Sequence, residues 1–307
     1  MVEYSRIKVV TQGDKLVDNR PLESGMYIVA TPIGNMRDIT LRALDTLNAV
    51  DLIACEDTRV TNKLLCYHNI KKSLLVYNDH SSQYERDKIV HLIQSGKSIA
   101  LVSDAGSPLI ADPGFKLIRL LKLSNINIEV IPGPCSLIAA LSISGLATDR
   151  FLFCGFVSKK KSEIRKEFEA AKEACATLIF FVTANDLTSI LAEAIDIFGD
   201  RECTVVRELT KVYEESKLGT LSEVLTFYQI NAPRGELILL ISGKEKATED
   251  TQEFAKQLLI CLSNEMTLKD AVTEVAKQCN IQKREVYKMA LALGIFERQQ
   301  TDQQKVI

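Results

Sequence analysis

The stretch "LVSDAGSPLIADPG" at 101–114 begins as a β-strand and then turns sharply twice. Its first two residues end an apolar run, but Gly106 and Pro108 follow, and Pro113 and Gly114 close the stretch. Proline fixes φ, and glycine adopts backbone conformations that other residues avoid, so both interrupt a strand. The stretch therefore predicts a strand that ends in a long, sharply turned loop.

Similar apolar runs recur along the first half of the chain. They lie at 26–34, 51–57, 73–79, 98–104 and 127–133. The segments 41–50 and 87–96 between them place apolar residues three and four positions apart, which is typical of amphipathic helices. Continuous apolar runs are typical of parallel strands that helices cover on both faces. The sequence therefore predicts an α/β domain over residues 25–147.

A second α/β domain is predicted over residues 148–243. Its apolar runs lie at 151–156, 177–183, 202–209 and 235–243. Residues 210–221 are predicted to form a further extended run beside the third of these, which predicts a mixed sheet.

The remainder of the chain is predicted to be a charged linker, 244–251, and a small helical domain, 252–298. Helical patterns at 267–279 and 282–293 have the spacing of a helix-turn-helix, although a hairpin that serves only packing fits the same periodicity. The chain ends are predicted to be a flexible N-terminal extension and a tail, at 1–24 and 299–307.

Composition excludes several classes of protein. The 307 residues carry 38 basic and 40 acidic side chains, a net charge of −2, so any polyanion must be bound by local patches. No apolar run approaches the ~18 residues of a membrane span, and no secretion signal is apparent. Eight cysteines occur without a Cys-x-x-Cys pair, beside three histidines. We therefore expect a soluble, cytoplasmic protein without a metal site or a membrane partner.

Turn-rich loops follow three strands of the first domain, at 30–35, 103–114 and 132–136. Each could be only a sharp turn, but ligands of open α/β sheets bind at the carboxyl ends of the strands. Neither a P-loop nor a Gly-x-Gly-x-x-Gly motif is present, and the second and third loops contain no cation. The loops therefore predict a nucleoside-like cofactor without an exposed phosphate.

Six segments carry a resemblance to a known family. They are "YIVATPIGNMRDITLRAL" (27–44), "ACEDTR" (54–59), "ALVSDAGSPLIADPG" (100–114), "IPGPCS" (131–136), "RELTK" (207–211) and "RGELILLISG" (234–243). In this order they resemble the ribosomal RNA small subunit methyltransferase I family of the tetrapyrrole methylase superfamily, the class III methyltransferases. The helical end resembles the helix-turn-helix extension of the same family.

The resemblance implies two α/β domains of tetrapyrrole-methylase type with a small C-terminal helix-turn-helix-like domain. It implies S-adenosylmethionine (S-adenosyl-L-methionine) as cofactor and methylation of the ribose 2′-hydroxyl of a cytidine in the decoding region of small-subunit (16S) ribosomal RNA. The implied partners are that RNA, free or in the assembled small subunit, and a second copy of the chain in a homodimer.

The resemblance also implies that the cofactor lies in the cleft between the two α/β domains, against the strand-end loops. The implied contacts are Thr31, Pro32, Gly34, Asn35, Ser103, Asp104, Ala105, Gly106, Ser107, Pro108, Pro132, Gly133 and Ser136.

A ribose hydroxyl is a weak nucleophile, and a general base adds roughly 10²–10⁴-fold to such a reaction. The candidate bases are Glu56, Asp57, Asp104 and Glu208, although each could instead cap a helix or form an ion pair.

Local basic groups are the candidates for RNA binding. Residues 158–166 are predicted to be a loop, and their five cations against one Glu give 5 − 1 = +4. The candidate contacts are Arg59, Lys159, Lys160, Lys161, Lys283, Arg284 and Lys288. A solvated charge run is the alternative interpretation of the 158–166 segment.

Departures from related patterns leave two alternative functions. Corrin and sirohaem methylases carry a Gly-x-Gly-Pro-Gly-Asp motif in the first loop, whereas this chain has "ATPIGN" at 30–35. This difference disfavours a tetrapyrrole- or corrin-type small-molecule methylase. Family members carry Glu-Ser-x-His-Arg after the segment "TLIFF" (177–181), where this chain has Val182, Thr183, Ala184, Asn185 and Asp186. That departure favours a catalytically weakened rRNA-binding assembly factor.

Overall fold

The computed structural model describes residues 22–78, 80–244, 249–263, 266–279 and 281–293. One compact unit ends at Gly243, and a second begins at Lys244. Most of the predicted N-terminal extension and the whole predicted tail lie outside the described residues.

The first α/β domain is a five-stranded parallel sheet. Its strands are β1 (Gly25–Val29), β2 (Leu52–Cys55), β3 (Ser73–Val76), β4 (Ser98–Val102) and β5 (Ile128–Ile131). Its helices are α1 (Leu41–Ala49), α2 (Thr58–Tyr67), α3 (Gln83–Gln94), α4 (Phe115–Leu123) and α5 (Ser136–Ile143). The strands lie in the order β3-β2-β4-β1-β5, and every pairing is parallel. All five predicted apolar runs therefore form strands.

Helices cover both faces of the central strands but not of the edges. β1 and β4 are buried along their whole length, with alternate side chains in the cores of the two faces. The expectation of coverage on both faces is wrong for β3 and β5, because each is an edge strand outside the stretch that the helices bury. The side chains of Val76 and Val130 are 49% and 58% exposed there.

The second α/β domain is a mixed sheet, as predicted. Its strands are β6 (Phe151–Phe156), β7 (Thr177–Thr183), β8 (Glu202–Arg207), β9 (Glu215–Thr220) and β10 (Glu236–Ile241). They lie in the order β6-β7-β10-β8-β9, with β6 parallel to β7 and the other pairings antiparallel. The extended run predicted for 210–221 becomes a strand only at Glu215, because turns occupy the residues before it.

The two faces of the second sheet have different partners. Helices α6 (Lys161–Ala171), α7 (Leu187–Phe198) and α8 (Leu221–Ile230) form one core with the face that carries Phe180 and Leu239. The opposite face carries Ile179 and Leu240 and packs against α5 of the first domain. Helix α5 therefore joins the two α/β domains through a shared apolar core.

The prediction that 158–166 is a loop is wrong, because α6 begins inside it at Lys161. Ile164, Phe168 and Ala171 are buried and lie four and three positions apart, so the segment buries one helical face. The lysines before Ile164 are the start of an amphipathic helix.

The second unit is a bundle of three helices, α9 (Glu249–Ser263), α10 (Leu268–Gln278) and α11 (Lys283–Ala292). Their core contains Ala255, Val275 and Val286, among other buried residues. The α10 and α11 ranges agree with the predicted patterns. Helix α9 begins at Glu249, inside the predicted linker. None of the helices in the described part of the chain is both long and apolar enough to cross a lipid bilayer.

Candidate functional site at the strand ends

Three strand-end loops of the first domain are hydrogen-bonded to one another. Thr31 and Gly106 form an isolated antiparallel bridge, with N···O distances of 2.9 and 3.0 Å. The Thr31 hydroxyl also donates to the carbonyl of Ser103 at 3.2 Å, and the Ser107 hydroxyl donates to the carbonyl of Pro134 at 3.1 Å. The loops predicted to bind the cofactor therefore form one connected structure.

The loop after β4 has the unusual backbone that its composition predicts. Gly106 has a φ of 82°, and Leu109 and Ala111 have φ values of 76° and 61°. Residues other than glycine rarely adopt such positive φ values, and those that do cluster at functional sites. This loop therefore has the strained backbone that is common where a protein holds a ligand.

A cavity of about 440 Å³ lies between this loop and the second sheet. The first domain contributes Ile33, Asp104, Ala105, Gly106, Ser107, Asp112, Cys135 and Ser136 among others. The second domain contributes Phe156, Phe181, Val182, Thr183, Ala184, Glu208, Gly235, Glu236 and Leu237 among others. The cavity thus has one wall of loop backbone and one wall of strand ends.

The predicted cofactor contacts divide into lining and supporting residues. The lining set consists of Asp104, Ala105, Gly106, Ser107 and Ser136. The other eight do not line the cavity. Four of these are buried behind it, namely Thr31, Pro32, Ser103 and Pro108, while Pro132 and Gly133 are exposed beside it.

Gly34 and Asn35 instead contact the second domain. The Asn35 N–H donates to the Thr210 hydroxyl at 3.0 Å. A Cβ on Gly34 would lie 2.8 Å from the carbonyl oxygen of Leu209, closer than real side chains approach. These residues fasten the first loop to the segment that follows β8, which fixes one edge of the cavity.

Acidic and apolar side chains dominate the lining. Asp104, Asp112, Glu208 and Glu236 contribute carboxylates, and no Lys, Arg or His is among the described residues that line the cavity. This composition disfavours a phosphate and favours a ligand with a cationic or zwitterionic part.

Glu208 is held in place on this acidic wall. Its Oε1 accepts from the backbone N–H of Glu236 at 2.9 Å and from Lys211 Nζ at 3.0 Å. These donors hold the pKa of the Glu208 carboxyl below its usual range. A Cβ on Gly235 would overlap that carboxylate, and Gly235 has a φ of 88°, so both observations require glycine here.

Asp57 does not line the cavity but caps α2. Its Oδ1 accepts from the Arg59 N–H at 2.8 Å, and its Oδ2 lies 2.6 Å from Arg59 Nη2. The guanidinium and N–H of Arg59 lower the pKa of Asp57 to about 2. Arg59, a predicted RNA contact, is 87% exposed at its side chain but is engaged in this pair. Asp104 accepts from the Asp57 N–H at 3.2 Å and does line the cavity.

The basic residues around the start of α6 form the α6 patch, which comprises Lys159, Lys160, Lys161, Arg165 and Lys166. Lys161 Nζ lies 2.5 Å from Oε1 of Glu193, and Arg165 lies 2.7 Å from Oε2 of the same side chain. Arg165 also lies 3.3 Å from Asp196. Helix α7 therefore neutralises two of the cations that the sequence predicts to be available.

The predicted RNA contacts of the second unit lie together. Lys283, Arg284 and Lys288 line a separate cavity of about 430 Å³ between α10 and α11. Lys269 of α10 lines the same cavity, and these four cations are the α11 patch. The sequence did not identify Lys269, because it lies on the preceding helix.

The sequence points to only part of the wall from the second domain. Glu208 and the segment 182–186 are singled out in the sequence, and Glu208, Val182, Thr183 and Ala184 line the cavity. Phe156 and Phe181 are not singled out, because an apolar run does not distinguish a residue that faces a cavity from one that faces a helix. Glu236 carried a usable signal, because it is a charge at the start of an apolar strand. In the described part of the chain no three His, Cys, Asp or Glu residues are grouped as a metal site.

Comparisons with known proteins agree with this architecture. Residues 25–225 match the family described as Tetrapyrrole (Corrin/Porphyrin) Methylases, and residues 248–294 match the RsmI C-terminal HTH domain. The solved uroporphyrin-III-C-methyltransferase from Thermus thermophilus is 19% identical, with a TM-score of 0.52 over 72% of this chain and 94% of that one. That likeness shows the fold.

Two relatives are similar over most of their length. A Rickettsia prowazekii (strain Madrid E) protein named ribosomal RNA small subunit methyltransferase I is 49% identical over 251 residues, 82% of this chain and 90% of the relative. The Mesorhizobium japonicum (strain LMG 29417 / CECT 9101 / MAFF 303099) protein of the same name is 40% identical over 283 residues, 92% of this chain and 96% of the relative. The chain therefore belongs to the ribosomal RNA small subunit methyltransferase I family of the tetrapyrrole methylases.

Proposed function

We propose that the protein is an S-adenosylmethionine-dependent methyltransferase that modifies a ribose 2′-hydroxyl of small-subunit ribosomal RNA. The observation that carries this proposal is the acidic, turn-built cavity at the strand ends of a chain that belongs to this family. The finer assignment, a cytidine of the decoding region, rests on the family resemblance.

The residues that line the cavity fit this cofactor. Ligand pockets have volumes of roughly 300–1,000 Å³, and the observed 440 Å³ lies within that range. The loop backbone at Ala105 and Gly106 would hold the nucleoside, and the apolar strand ends near Phe181 would cover it. The acidic lining of the cavity suits a positively charged sulfonium. When bound, S-adenosylmethionine supplies an electrophilic methyl group with a good leaving group.

The chain accelerates the reaction mainly by positioning. Orientation of two reacting groups contributes ~7–11 kcal/mol in intramolecular analogues. The bridge between Thr31 and Gly106 and the bond from Ser107 to Pro134 hold the cofactor loops together. The contact of Asn35 with Thr210 fixes those loops to the opposite wall. These contacts fix the position of one wall of the cleft relative to the other.

Asp104 is the carboxylate that we assign to accept the hydroxyl proton. Neither Glu56 nor Asp57 lines the cavity, and the pKa of Asp57 is about 2. Glu208 is occupied by Lys211 and the N–H of Glu236. The Asp104→Asn variant should lower kcat by up to roughly 10²–10⁴-fold with less than a tenfold change in the cofactor Kd. An unchanged kcat would assign the proton to another group.

The oligomeric state and the location of the protein belong to the same proposal. We expect a cytoplasmic homodimer, because the superfamily resemblance implies two copies and a second copy doubles the RNA-binding surface of a nearly neutral chain. Light scattering across micromolar concentrations should give twice the chain mass. A monomer at every concentration would contradict the dimer.

A second function is favoured by the strand end at Val182. Val182, Thr183 and Ala184 line the cavity where the family resemblance implies Glu and Ser. A chain that lacks the polar contacts of that segment could bind RNA without methylating it. An rRNA-binding assembly factor is therefore the alternative that the experiment below separates.

The test combines binding with methyl transfer. Calorimetry should show binding of S-adenosylmethionine without added metal, and no binding of ATP or NAD. Gly106→Val should abolish binding, since its φ is 82° and its Cβ would lie 3.3 Å from Ile33. Gly96→Val is the matched control, because its φ is 98° and nothing lies within 4 Å of its Cβ.

Transfer of a labelled methyl group should then be measured on free small-subunit RNA and on assembled subunits. Resistance of one linkage to alkaline cleavage would locate a 2′-O-methyl group. Cofactor binding without methyl transfer would support the assembly factor. No binding of the cofactor would contradict the methyltransferase.

A further inference from the structure

The cavity between α10 and α11 is built from one face of each helix. Lys269, Val272 and Thr273 of α10 lie three and four positions apart and share a face. Lys283, Arg284, Tyr287 and Lys288 of α11 have the same spacing. The cavity of about 430 Å³ is thus a groove formed by the packing of two regular helices.

The charge of this cavity has one sign. Among the described residues that line it, four are cations and none is acidic, on a chain whose net charge is −2. Across the described residues, none of Lys269, Lys283, Arg284 and Lys288 takes part in an ion pair. Such a concentration of unpaired cations fits a polyanion rather than the exterior of a stable helical bundle.

The lining also includes an apolar side chain and an aromatic ring. Val272 is 4% exposed, whereas Tyr287 is 41% exposed and lines the same cavity as the four cations. An exposed ring among cations is the arrangement by which proteins stack an unpaired base while the cations contact neighbouring phosphates. The bases of an A-form duplex are stacked inside and would not reach this ring.

We infer that the α10–α11 cavity binds one unpaired nucleotide of the RNA, with its base stacked on Tyr287 and its neighbouring phosphates at the α11 patch. The inference deepens the proposed function and rests on RNA as the substrate. It adds Tyr287 as the residue that selects single-stranded over paired RNA and Lys269 as a phosphate contact.

The test uses the full-length protein and a single-stranded RNA that carries 2-aminopurine at one position. Stacking of that base on an aromatic ring quenches its fluorescence. Tyr287→Leu should abolish the quenching and weaken binding of the single strand by about 5- to 150-fold, the range that stacking on an aromatic side chain supplies. Tyr287→Phe should retain both properties, because its ring remains.

Two controls separate this effect from general damage. Tyr84→Leu replaces a tyrosine of α3 that is 77% exposed, and it should leave affinity and quenching unchanged. A blunt duplex of the same composition should lose less than threefold in affinity with Tyr287→Leu. Thermal denaturation will show that each variant is folded.

The outcomes also separate the inference from the proposed function. If Tyr287→Leu binds and quenches as the wild type does, while cofactor binding and methyl transfer proceed, the inference is wrong and the proposed function stands. Equal losses for the single strand and the duplex would also overturn it, as would a loss with Tyr287→Phe that matches Tyr287→Leu. A wild-type chain that binds neither cofactor nor RNA would overturn both.

Discussion

The α6 patch and the α11 patch each contain several basic residues but differ in the folded protein. In the α6 patch, Lys161 and Arg165 are paired with Glu193, whose side chain is only 5% exposed. In the α11 patch, four cations line a cavity to which no acidic residue of the described ranges contributes. The difference shows that charge counted along a sequence is not the charge that a partner meets.

Removal of the α11 patch should have the largest effect on RNA binding. In the triple variant Lys269→Ala, Arg284→Ala and Lys288→Ala, about three phosphate contacts are lost. At ~0.7 per contact for a single strand, the slope of log K against log salt should flatten by about 2, and affinity at 0.1 M salt should fall roughly 100-fold. Fluorescence anisotropy over a salt series measures both, and an unchanged slope would contradict the assignment.

A smaller loss is expected from the α6 patch. Lys159→Ala, Lys160→Ala and Lys161→Ala together remove two exposed cations, of which Lys160 lies 3.5 Å from Glu163, and one that Glu193 already neutralises. The salt slope should therefore flatten by about 1.4 at most, and affinity should fall roughly 10- to 30-fold. Calorimetry should show the same S-adenosylmethionine affinity as the wild type. A loss of RNA affinity as large as that of the α11 triple variant would contradict the expected difference between the two patches.

The fold was largely predictable from the sequence because strand and helix periodicities are local. The five apolar runs of the first domain all form strands, and the strand at 177–183 was predicted with its exact bounds. The segment 158–166 was mistaken for a loop, since its lysines hide the buried face at Ile164 and Phe168. Edge strands were mistaken for covered ones, because the order of strands in a sheet is not a local property.

The candidate site was predictable only where the chain itself turns. Gly106 and Ser107 lie in a turn-rich loop, so composition alone marked them, and both line the cavity. The wall formed by Phe181 and Leu237 comes from strands that look like core in sequence. The pairing of Lys161 with Glu193 joins two helices, and only the packing of α6 on α7 reveals it.

A variant without the charge of Glu193 tests directly whether ion pairing limits RNA binding by the α6 patch. Glu193→Gln keeps the size of the side chain but removes the charge that holds Lys161 and Arg165. RNA affinity should rise by a few-fold, up to roughly fivefold, since Lys161 becomes available to phosphates, whereas Arg165 still lies 3.3 Å from Asp196. The urea midpoint should fall, because two cations then face a buried neutral group.

Glu169→Gln is the control for this variant. Glu169 is on α6, is 55% exposed at its side chain and lies 3.8 Å from Lys172, so its loss should change neither quantity measurably. RNA affinity of Glu193→Gln at or below that of the control would mean that the α6 patch does not contact RNA.

The smallest effect is the pH dependence of the same pair. The Lys161 ammonium, with the Arg165 guanidinium, holds the pKa of Glu193 below its usual range. A carboxyl whose pKa is lower in the folded chain contributes stability that is fully present above its unfolded pKa of ~4.3 and is lost as pH falls through the folded pKa. The stability difference between wild type and Glu193→Gln should therefore be constant near neutral pH and shrink below about pH 4.3. Urea titrations at a series of pH values measure it, and a difference that grows with acidity would show that Glu193 is not held by its cations.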